Sequence, residues 1–369
     1  MTTDKLDTTA LKLDAATEAT QATEANAERR SDAALEERLA ALLRSFPERR
    51  VVVVGDLVAD QFLYGEISRV SREAPVLILR HERTETVPGG AANCAVNLAS
   101  LGARAAIVGV VGEDEAGRAL LEKLQEAGVD CTGVVRTPHM RTTTKVRVLA
   151  GQAHSTRQQV IRVDYEDAPT PRLVAGSDLK RRLPEILSAA DALIISDYNY
   201  GVADEEMTGL LRDAMTAQQK LVLVDSRFRL MQFPGFTSAT PNEDEVEQLV
   251  GRRLADRATL EQAAHELRER LGYRALLVTR GSRGMMLVEA DAAEPLHIEA
   301  VGAREAVDVT GAGDTVIAAY TLALASGASA PDAAHLANHA GGIVVMKRGT
   351  AAVTRQELHA SLTHGGDHA

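Results

Sequence analysis

Short, continuous apolar runs alternate with longer amphipathic segments over most of this chain. The first strong run, 51–54, consists of four valines and leads directly into Gly55 and Asp56. A run of this kind predicts a strand that is buried on both faces. Buried strands that alternate with helices form a parallel sheet with helices on both sides, so we predict an α/β fold with a doubly wound, mostly parallel sheet. Further predicted strands are 104–111, 192–196, 221–225 and 275–279, and the predicted helices are 93–101, 114–127, 203–216, 258–271, 312–325 and 331–346.

Four segments interrupt this rhythm, at 61–67, 75–82, 143–149 and 157–163. They have alternating or β-branched character and no helix between them, so we expect a small antiparallel β lid built from about 61–82 and 143–164. Ligands of α/β sheets bind outside the C-terminal ends of the strands, and an extra sheet at that edge would close over a ligand. Ordinary edge hairpins are the alternative.

The two ends of the chain differ from its centre. Residues 1–30 are rich in Thr, Ala and Glu and contain no aromatic residue, which predicts a disordered tail. An extra docked helix is the alternative. Apolar residues then recur at helical spacing from Leu35 to Phe46. We predict one large domain over 31–355 and a C-terminal tail over 356–369.

Charge and cysteine content narrow the function classes. The 369 residues include 41 Lys and Arg against 52 Asp and Glu, which gives a net charge of −11. This acidic balance argues against general binding of nucleic acid or of a membrane surface. The two cysteines, Cys94 and Cys131, make neither a disulfide framework nor a zinc set, which favours a reducing compartment. With no secretory signal and no apolar run of about 18 residues, we predict a soluble cytoplasmic protein.

The strongest chemical signal is the segment Asp308–Thr315 at the start of a predicted helix. Gly311, Ala312 and Gly313 let a ligand approach the backbone closely, and their N–H groups at a helix N-terminus form an anion site. Asp314 lies in the first helical turn, where it is placed to accept a proton from an attacking hydroxyl. A phosphoryl-transfer enzyme needs both parts. The alternative is a plain helix start with an N-terminal aspartate.

Two motifs nearer the N-terminus are suited to binding a sugar. Gly89 and Gly90 open a helix and let a ligand lie against the backbone, while Asn93 offers both a donor and an acceptor to hydroxyl groups. Asp56 and Asp60 follow the first buried strand, and carboxylates bind vicinal diols well. A tight strand-to-helix turn and a polar loop are the respective alternatives.

Two later motifs are suited to binding a nucleotide with its metal ion. Asn242 and Glu245 follow a short strand and are suited to orienting waters around Mg²⁺, with an acidic helix N-terminus as the alternative. Thr279, Gly281 and Gly284 belong to a strand and glycine-rich turn that could cradle phosphates, with a hairpin turn as the alternative. The chain contains no P-loop, no GxGxxG after the first strand and no HRD or DFG set. Phosphate transfer would therefore depend on a glycine anion hole.

Taken in their order along the chain, these five motifs resemble the ribokinase (PfkB) family of carbohydrate kinases over about residues 35–355. The resemblance implies a ribokinase-like fold and an ATP-dependent sugar kinase that uses Mg²⁺. It also implies individual roles: Asp314 as catalytic base, Gly311, Ala312 and Gly313 as anion hole, Asn242 and Glu245 in support of Mg²⁺ and phosphate, Thr279, Gly281 and Gly284 at the nucleotide, Asp308 and Thr310 beside a monovalent cation such as K⁺, and Asp56, Asp60, Gly89, Gly90 and Asn93 on the sugar side.

Several strings are similar to the branch of this family that phosphorylates D-glycero-β-D-manno-heptose 7-phosphate at O1 during ADP-heptose synthesis. That branch is often fused to an adenylyltransferase with a His-x-Gly-His motif, which this chain lacks, so we predict the kinase alone. Two lysines of the branch pattern are replaced here, by Tyr200 and Arg227. A ribokinase- or fructokinase-like kinase of a free sugar, or a catalytically silent sugar-binding regulator, is the alternative. The shared strings are 53–56, 68–76, 88–93, 144–147, 158–159, 162–164 and 196–198.

An acceptor that already carries a phosphate requires fixed positive charge, and the predicted lid supplies Arg69, Lys145, Arg147 and Arg162. Arg147 and Arg162 are the leading candidates because guanidinium groups bind phosphate bidentately. A solvated strand face with surface ion pairs is the alternative. Because an isolated sheet has one face too many for a single domain to cover, we also predict that two chains pair through their lids as a two-fold homodimer.

Overall fold

A nine-stranded sheet occupies the centre of the computed structural model, which describes residues 33–151, 157–167, 179–302 and 305–363. Four further strands form a second sheet. In chain order, the described strands are β1 Arg50–Gly55, β2 Leu57–Val70, β3 Leu77–Gly90, β4 Arg104–Gly112, β5 Asp130–Thr137, β6 Thr144–Gly151, β7 Gln158–Tyr165, β8 Ala192–Asp197, β9 Leu221–Ser226, β10 Ser238–Ala239, β11 Ala275–Thr279, β12 Met285–Glu289 and β13 Leu296–Ile298.

The chain enters the large sheet at β1, the third strand from one edge. The strand order is β13-β12-β11-β10-β9-β8-β1-β4-β5, and β1 pairs in parallel with β4 on one side and β8 on the other. Within the described sheet, β12 runs antiparallel to both neighbours and the other pairings are parallel. From β1 the chain first builds towards β5 and later builds the opposite way from β8. The junction of β1 and β8 is therefore a topological switch point, and sheets of this kind bind ligands there, at the C-terminal ends of the strands.

Helices cover both faces of the large sheet, which confirms the predicted doubly wound α/β class. Successive side chains of β1 alternate between two cores: Val51 and Val53 pack with α1, α2, α3, α8, α9 and α10, whereas Val52 and Val54 pack with α4 to α7. These helices are α1 33–45, α2 Ala91–Ser100, α3 Glu115–Glu126, α4 Leu179–Ser188, α5 Glu205–Ala217, α6 Glu243–Val250, α7 Arg257–Leu271, α8 Ala312–Ala325, α9 Ala330–Val344 and α10 Arg355–Thr363.

The second sheet, β3-β2-β6-β7, is called the lid below. Its two outer pairings, β2 with β3 and β6 with β7, are antiparallel as expected. The central pairing of β2 with β6 is parallel. Parallel neighbours need a long crossover connection, and here β3, α2, β4, α3 and β5 all intervene between the two strands.

The lid strands extend further than the sequence pattern indicated. β2 and β3 have 14 residues each, and both continue inward to the edge of the large sheet. Residues 57–60 and 88–90, at that inner end, are buried. They therefore lack the alternation of polar and apolar positions that predicted only the outer segments 61–67 and 75–82.

The prediction of a C-terminal tail over 356–369 is wrong for residues 356–363. Residues 355–363 form α10, and its Leu358 and Leu362 are buried in the core because residues four apart share one helix face. His339 of α9 also contacts Ser361, with 2.8 Å between Nδ1 and Oγ. The disordered tail predicted at 1–30 lies outside the described residues. No helix in the described part of the chain is long and apolar enough to cross a membrane.

The close approach of β1 and β8 at the switch point makes a testable prediction. A Cβ on Gly55 would lie 2.0 Å from the carbonyl oxygen of Ser196 in β8. Gly55→Ala is therefore expected to lower the free energy of unfolding by about 2 kcal/mol or more, because the backbone of one strand must move. Chemical denaturation monitored by circular dichroism measures this change.

Gly209 in α5 provides the matched control, since a Cβ there meets nothing within 4 Å. Gly209→Ala should raise the free energy of unfolding by about 0.5–1 kcal/mol because alanine favours a helix interior. Equal effects of the two substitutions would show that the contact between β1 and β8 is not tight.

Candidate active site

A cavity of about 350 Å³ lies between the lid and the C-terminal edge of the large sheet. Its position beside the switch point between β1 and β8 is where a doubly wound sheet binds its ligand. The cavity brings together most of the residues that the sequence predicted for the sugar side and for catalysis. Those that line it are Asp60, Gly89, Gly90, Lys145, Arg147, Arg162, Thr310, Gly311 and Asp314.

Asp314 is the carboxylate at the base of this cavity. It lies in the first turn of α8 and is buried. Asn93 donates from Nδ2 to Oδ2 over 2.8 Å, and the Tyr198 hydroxyl donates to Oδ1 over 3.0 Å. Burial raises the pKa of Asp314 to about 7, against the lowering effect of these two hydrogen bonds. A carboxylate with this pKa is well matched to accepting a proton near neutral pH.

The turn before Asp314 is the candidate anion site. Gly311 has a φ of 76°, and a Cβ there would lie 2.5 Å from Nδ2 of Asn93, so both the backbone conformation and the space require glycine. Among the described residues, the N–H groups of Gly313 and Asp314 have no hydrogen-bond acceptor. Unpaired N–H groups at a helix N-terminus bind negative charge.

A second cavity, of about 200 Å³, opens on the other side of this turn. Ala312 and Gly313 line it together with Thr279, Gly281 and Gly284, the residues predicted to face a nucleotide. Most of its remaining walls are apolar side chains, such as those of Met285, Val301, Val316 and Val345. The anion site thus separates a polar cavity that contains Asp314 from an apolar cavity of a different character.

Asn242 and Glu245 form a capping box at the start of α6. The Asn242 side chain accepts from the backbone N–H of Glu245 over 2.8 Å, and Glu245 accepts from the N–H of Asn242 over 2.9 Å. The structure thus shows the acidic helix N-terminus that was the alternative interpretation of this motif. Burial raises the pKa of Glu245. These bonds leave further lone pairs on both side chains.

Asp225, at the C-terminal end of β9, is a candidate residue that the motif analysis missed. Burial together with repulsion from Asp314 and Glu245 holds its pKa well above the ordinary value. Oδ2 lies 4.0 Å from the Cβ position of Gly313, beside the anion site. The available signal was the apolar run 221–224 that leads directly into a carboxylate, as 51–54 leads towards Asp56.

The carboxylates beside the anion site fit Mg²⁺. No group of three or more His, Cys, Asp or Glu in the described part of the chain could hold a metal ion alone. Mg²⁺ commonly binds one or two carboxylates and completes its shell with waters and substrate phosphates. Asp225 and Glu245 meet that requirement, and a bound cation would relieve the repulsion that raises the pKa of Asp225.

The lid cations in the cavity already have carboxylate partners. Arg147 forms an ion pair with Asp60, across the neighbouring strands β6 and β2. Arg162 makes a bidentate pair with Asp164, with both N–O distances 2.8 Å. Lys145 lies 3.3 Å from Oε1 of Glu166, which also accepts from the Tyr200 hydroxyl. These pairs neutralise much of the positive charge that the sequence placed on the lid.

Arg69 does not join the cavity, and its prediction as a substrate-binding residue is not supported within one chain. It lies nine positions beyond Asp60 along β2, which corresponds to about 30 Å at the rise of a strand. Its side chain is exposed near the outer end of the lid. Sequence composition shows that the lid is basic, but only the strand length shows which of its cations reach the site.

Asp56 and Asn93 lie behind the cavity and do not line it. Asp56 accepts from the backbone N–H groups of Tyr198, Tyr200 and Val202 over 2.8, 3.0 and 3.1 Å, so it anchors the loop after β8. Asn93 bonds to Asp314 and accepts from Nδ2 of Asn97 over 3.2 Å. The structure places both as supports for the site and leaves Asp60 as the carboxylate of this predicted set that lines the cavity.

Asp308 and Thr310 both line a groove of about 960 Å³ between the lid and the large domain, and Thr310 also lines the cavity. The Asp308 carboxylate accepts from the N–H groups of Thr310 and Gly349, each over 2.9 Å. It therefore ties the segment before α8 to the segment after α9. The role of these residues beside a monovalent cation stays a prediction.

Comparison with known proteins identifies a family for this arrangement. The family described as "pfkB family carbohydrate kinase" matches residues 48–357. The Bifunctional protein HldE of Shewanella loihica is 42% identical over 331 residues, which cover 88% of this chain and 66% of that protein. The HldE protein of Pseudomonas aeruginosa is 42% identical over 314 residues, covering 85% of this chain and 63% of that protein. The chain thus spans slightly less than two thirds of the length of these curated relatives.

Solved structures with the same fold are more distant in sequence. Arabidopsis thaliana ribokinase complexed with ribose and ATP has a TM-score of 0.66 and 22% identity, with 85% of this chain and 98% of that chain covered. Escherichia coli phosphofructokinase-2 in complex with potassium has a TM-score of 0.67 and 21% identity, with 86% and 99% covered. These similarities confirm the ribokinase-like fold.

The buried state of Asp314 predicts a pH-dependent effect on stability. Its pKa is about 7 in the folded chain against an ordinary value of 3.8, so folding favours the protonated form. Wild-type stability is therefore lost as the pH rises from about 4 to 7. Asp314→Asn cannot ionise, and its advantage in free energy of unfolding over the wild type should grow by about 2 kcal/mol between pH 5 and pH 8.

Urea denaturation of both proteins at the two pH values measures this difference. Asp213→Asn, a change on the exposed surface of α5, controls for the loss of one negative charge. An advantage of Asp314→Asn that is the same at pH 5 and pH 8 would contradict the raised pKa.

Proposed function

The chain belongs to the pfkB family of carbohydrate kinases, and we propose that it transfers the γ-phosphoryl group of ATP to O1 of D-glycero-β-D-manno-heptose 7-phosphate. One observation carries the kinase chemistry: Asp314, with a pKa of about 7, lies beside two unpaired N–H groups and between two cavities. The choice of heptose phosphate is supported by the strings shared with that branch of the family. The 42% identity to HldE proteins over most of the chain is consistent with it.

In the proposed reaction, Asp314 accepts the proton of the acceptor hydroxyl as that oxygen attacks the γ-phosphorus. A new O–P bond forms, the bond from the γ-phosphorus to the bridging oxygen breaks, and ADP leaves with that electron pair. The N–H groups of Gly313 and Asp314 hold the negative charge of the transferred group. Because the lid covers the cavity that contains Asp314, water is kept from competing with the sugar hydroxyl.

The proposed nucleotide site is the apolar cavity beside Thr279, Gly281 and Gly284, with the phosphates at the anion site. Asp225 and Glu245 would hold Mg²⁺ there, and Asn242 supports them through the capping box. When bound, Mg²⁺ neutralises the charge of the nucleotide phosphates. Asp308 and Thr310 remain our candidates for a K⁺ site, and the related phosphofructokinase-2 was solved in complex with potassium.

A kinase of a free sugar is the second candidate. It is favoured by the ion pairs of Arg147 with Asp60 and of Arg162 with Asp164, because paired cations offer less charge to a substrate phosphate. A silent sugar-binding regulator is disfavoured by the intact Asp314 and anion site.

The use of ATP and the presence of two unpaired cysteines both fit a cytoplasmic location.

We further propose that a second copy of the chain covers the outer face of the lid. Asp60, Arg147 and Arg162 line the cavity, so the neighbouring positions on each strand face away from it. Ile161 and Val163 are 55% and 39% exposed on that outer side. Burial of such a row of apolar side chains against a second lid would stabilise a two-fold dimer.

The catalytic proposal predicts the effect of removing the base. Asp314→Asn retains hydrogen bonding but cannot take the proton, so kcat should fall by at least about 10² while ATP binding is nearly unchanged. Because the carboxylate must be ionised, wild-type kcat/KM should rise with pH through about 7 and then level off.

The assay is ATP consumption with heptose 7-phosphate, ribose and fructose as acceptors. Asp213→Asn is the control for charge and should keep wild-type turnover. If Asp314→Asn retains more than half of wild-type kcat, Asp314 is not the base. If the wild type prefers ribose or fructose, the free-sugar kinase replaces the heptose-phosphate proposal.

The dimer proposal predicts that light scattering at micromolar concentration gives twice the mass of one chain. Ile161→Glu places a charge in the proposed interface and should shift the protein towards monomers. Leu210→Glu, at an exposed apolar position of α5, introduces the same charge elsewhere and should leave the mass unchanged. A wild-type monomer with full activity would reject the proposal.

A further inference from the structure

Two arginines near the active site have no carboxylate partner. Arg227, after β9, and Arg348, after α9, are both exposed, and among the described residues no carboxylate oxygen lies within 4 Å of either guanidinium. By contrast, Lys145, Arg147 and Arg162 each have an acidic neighbour. An unpaired guanidinium retains its full positive charge for an anionic ligand.

The two arginines without a carboxylate partner line different hollows. Arg227 lines the cavity with Asp314 and is close enough to Asp225 and Glu245 to stabilise their charges. It therefore belongs to the end where the donor phosphates are proposed to bind. Arg348 lines the groove of about 960 Å³ instead and does not line the cavity itself.

The groove and the acceptor cavity share walls. Arg147, Thr310 and Thr350 line both of them. Thr350 lies directly against the anion site, with its Cγ2 3.3 Å from the Cβ position of Gly311. Arg348 precedes Thr350 by two residues and lines the groove, so it lies on the groove side of the walls that the two hollows share.

Thr350 provides a second observation at this junction. Its hydroxyl oxygen is buried and has no hydrogen-bond partner in the described structure. A buried hydroxyl without a partner is costly unless a ligand or water satisfies it. A hydroxyl and an unpaired guanidinium two residues apart, at the end of a sugar cavity, together match the donors that bind a phosphate group.

We propose that Arg348 and Thr350 form the subsite for the phosphate that the acceptor sugar already carries. This inference rests on the proposed sugar kinase activity and moves the phosphate from the lid arginines to the groove. In this arrangement Arg147 orients Asp60 towards the sugar hydroxyls, Arg227 faces the donor phosphates and Arg348 selects an acceptor with a distant phosphate. The acceptor class is then a sugar monophosphate whose phosphate lies across the sugar from the reacting hydroxyl.

The test is calorimetric binding of heptose 7-phosphate and of unphosphorylated heptose, without ATP, to the full chain. Arg348→Ala should weaken binding of heptose 7-phosphate by at least about tenfold relative to binding of heptose, because hydrogen bonds to a charged group are lost. Arg348→Lys should recover part of this selectivity, since it keeps the charge but not the fork of donors.

Arg157→Ala is the matched control. Arg157 lines the same groove but forms an ion pair with Glu82, so its removal should change the selectivity by no more than about twofold. Arg147→Ala and Arg162→Ala test the competing location on the lid.

Three results would overturn the subsite: a wild type that binds the phosphorylated sugar no better than heptose, an Arg348→Ala variant that loses both ligands equally, or selectivity lost only in the lid variants. The kinase proposal fails separately. If binding is selective and depends on Arg348 but no ATP is consumed with any sugar, the subsite stands and the kinase does not. If ATP is consumed with a free sugar and no phosphate selectivity exists, the reverse holds.

Discussion

The candidate active site depends on a buried carboxylate that is held by neutral donors. Asp314 lies near Asp60 and Asp225, yet its own hydrogen bonds come from the amide of Asn93 and the hydroxyl of Tyr198. A cation in direct contact would lower its pKa and make it a weaker proton acceptor. The amide and the phenol fix both oxygens and lower the pKa, but burial outweighs them and leaves it at about 7. Hydrogen bonds therefore set the position of this carboxylate, and burial sets its basicity.

The fold supports this carboxylate through a buried polar chain between two helices. Asn97 of α2 donates to the Asn93 side chain over 3.2 Å, and Thr315 of α8 donates to Asn97 over 3.0 Å. These contacts tie the helix that carries Asp314 to the helix that carries Asn93. The parallel strands contribute at the same edge, because β1, β8 and β9 all end there.

Features that depend on neighbouring residues were predictable from the sequence. The glycine-rich helix start at 311–313, the alternation of strands and helices and the existence of a second sheet all follow from local patterns. The pairing of Arg147 with Asp60 did not, because it joins residues 87 positions apart and arises from the register of β6 on β2. The anchoring role of Asp56, the distance of Arg69 and the parallel centre of the lid likewise depend on how distant strands assemble.

The loop after β8 shows how such a site tolerates change. Asp56 holds this loop only through main-chain N–H groups, including that of Tyr200. Every residue type except proline supplies such a group, so the path of the loop does not depend on which side chain stands at position 200. A tyrosine is therefore able to stand where the family pattern that the sequence resembles has a lysine, while Tyr198 stays in contact with Asp314. Position 200 is therefore a place where the side chain at the edge of the site can change while the contacts of Asp314 stay the same.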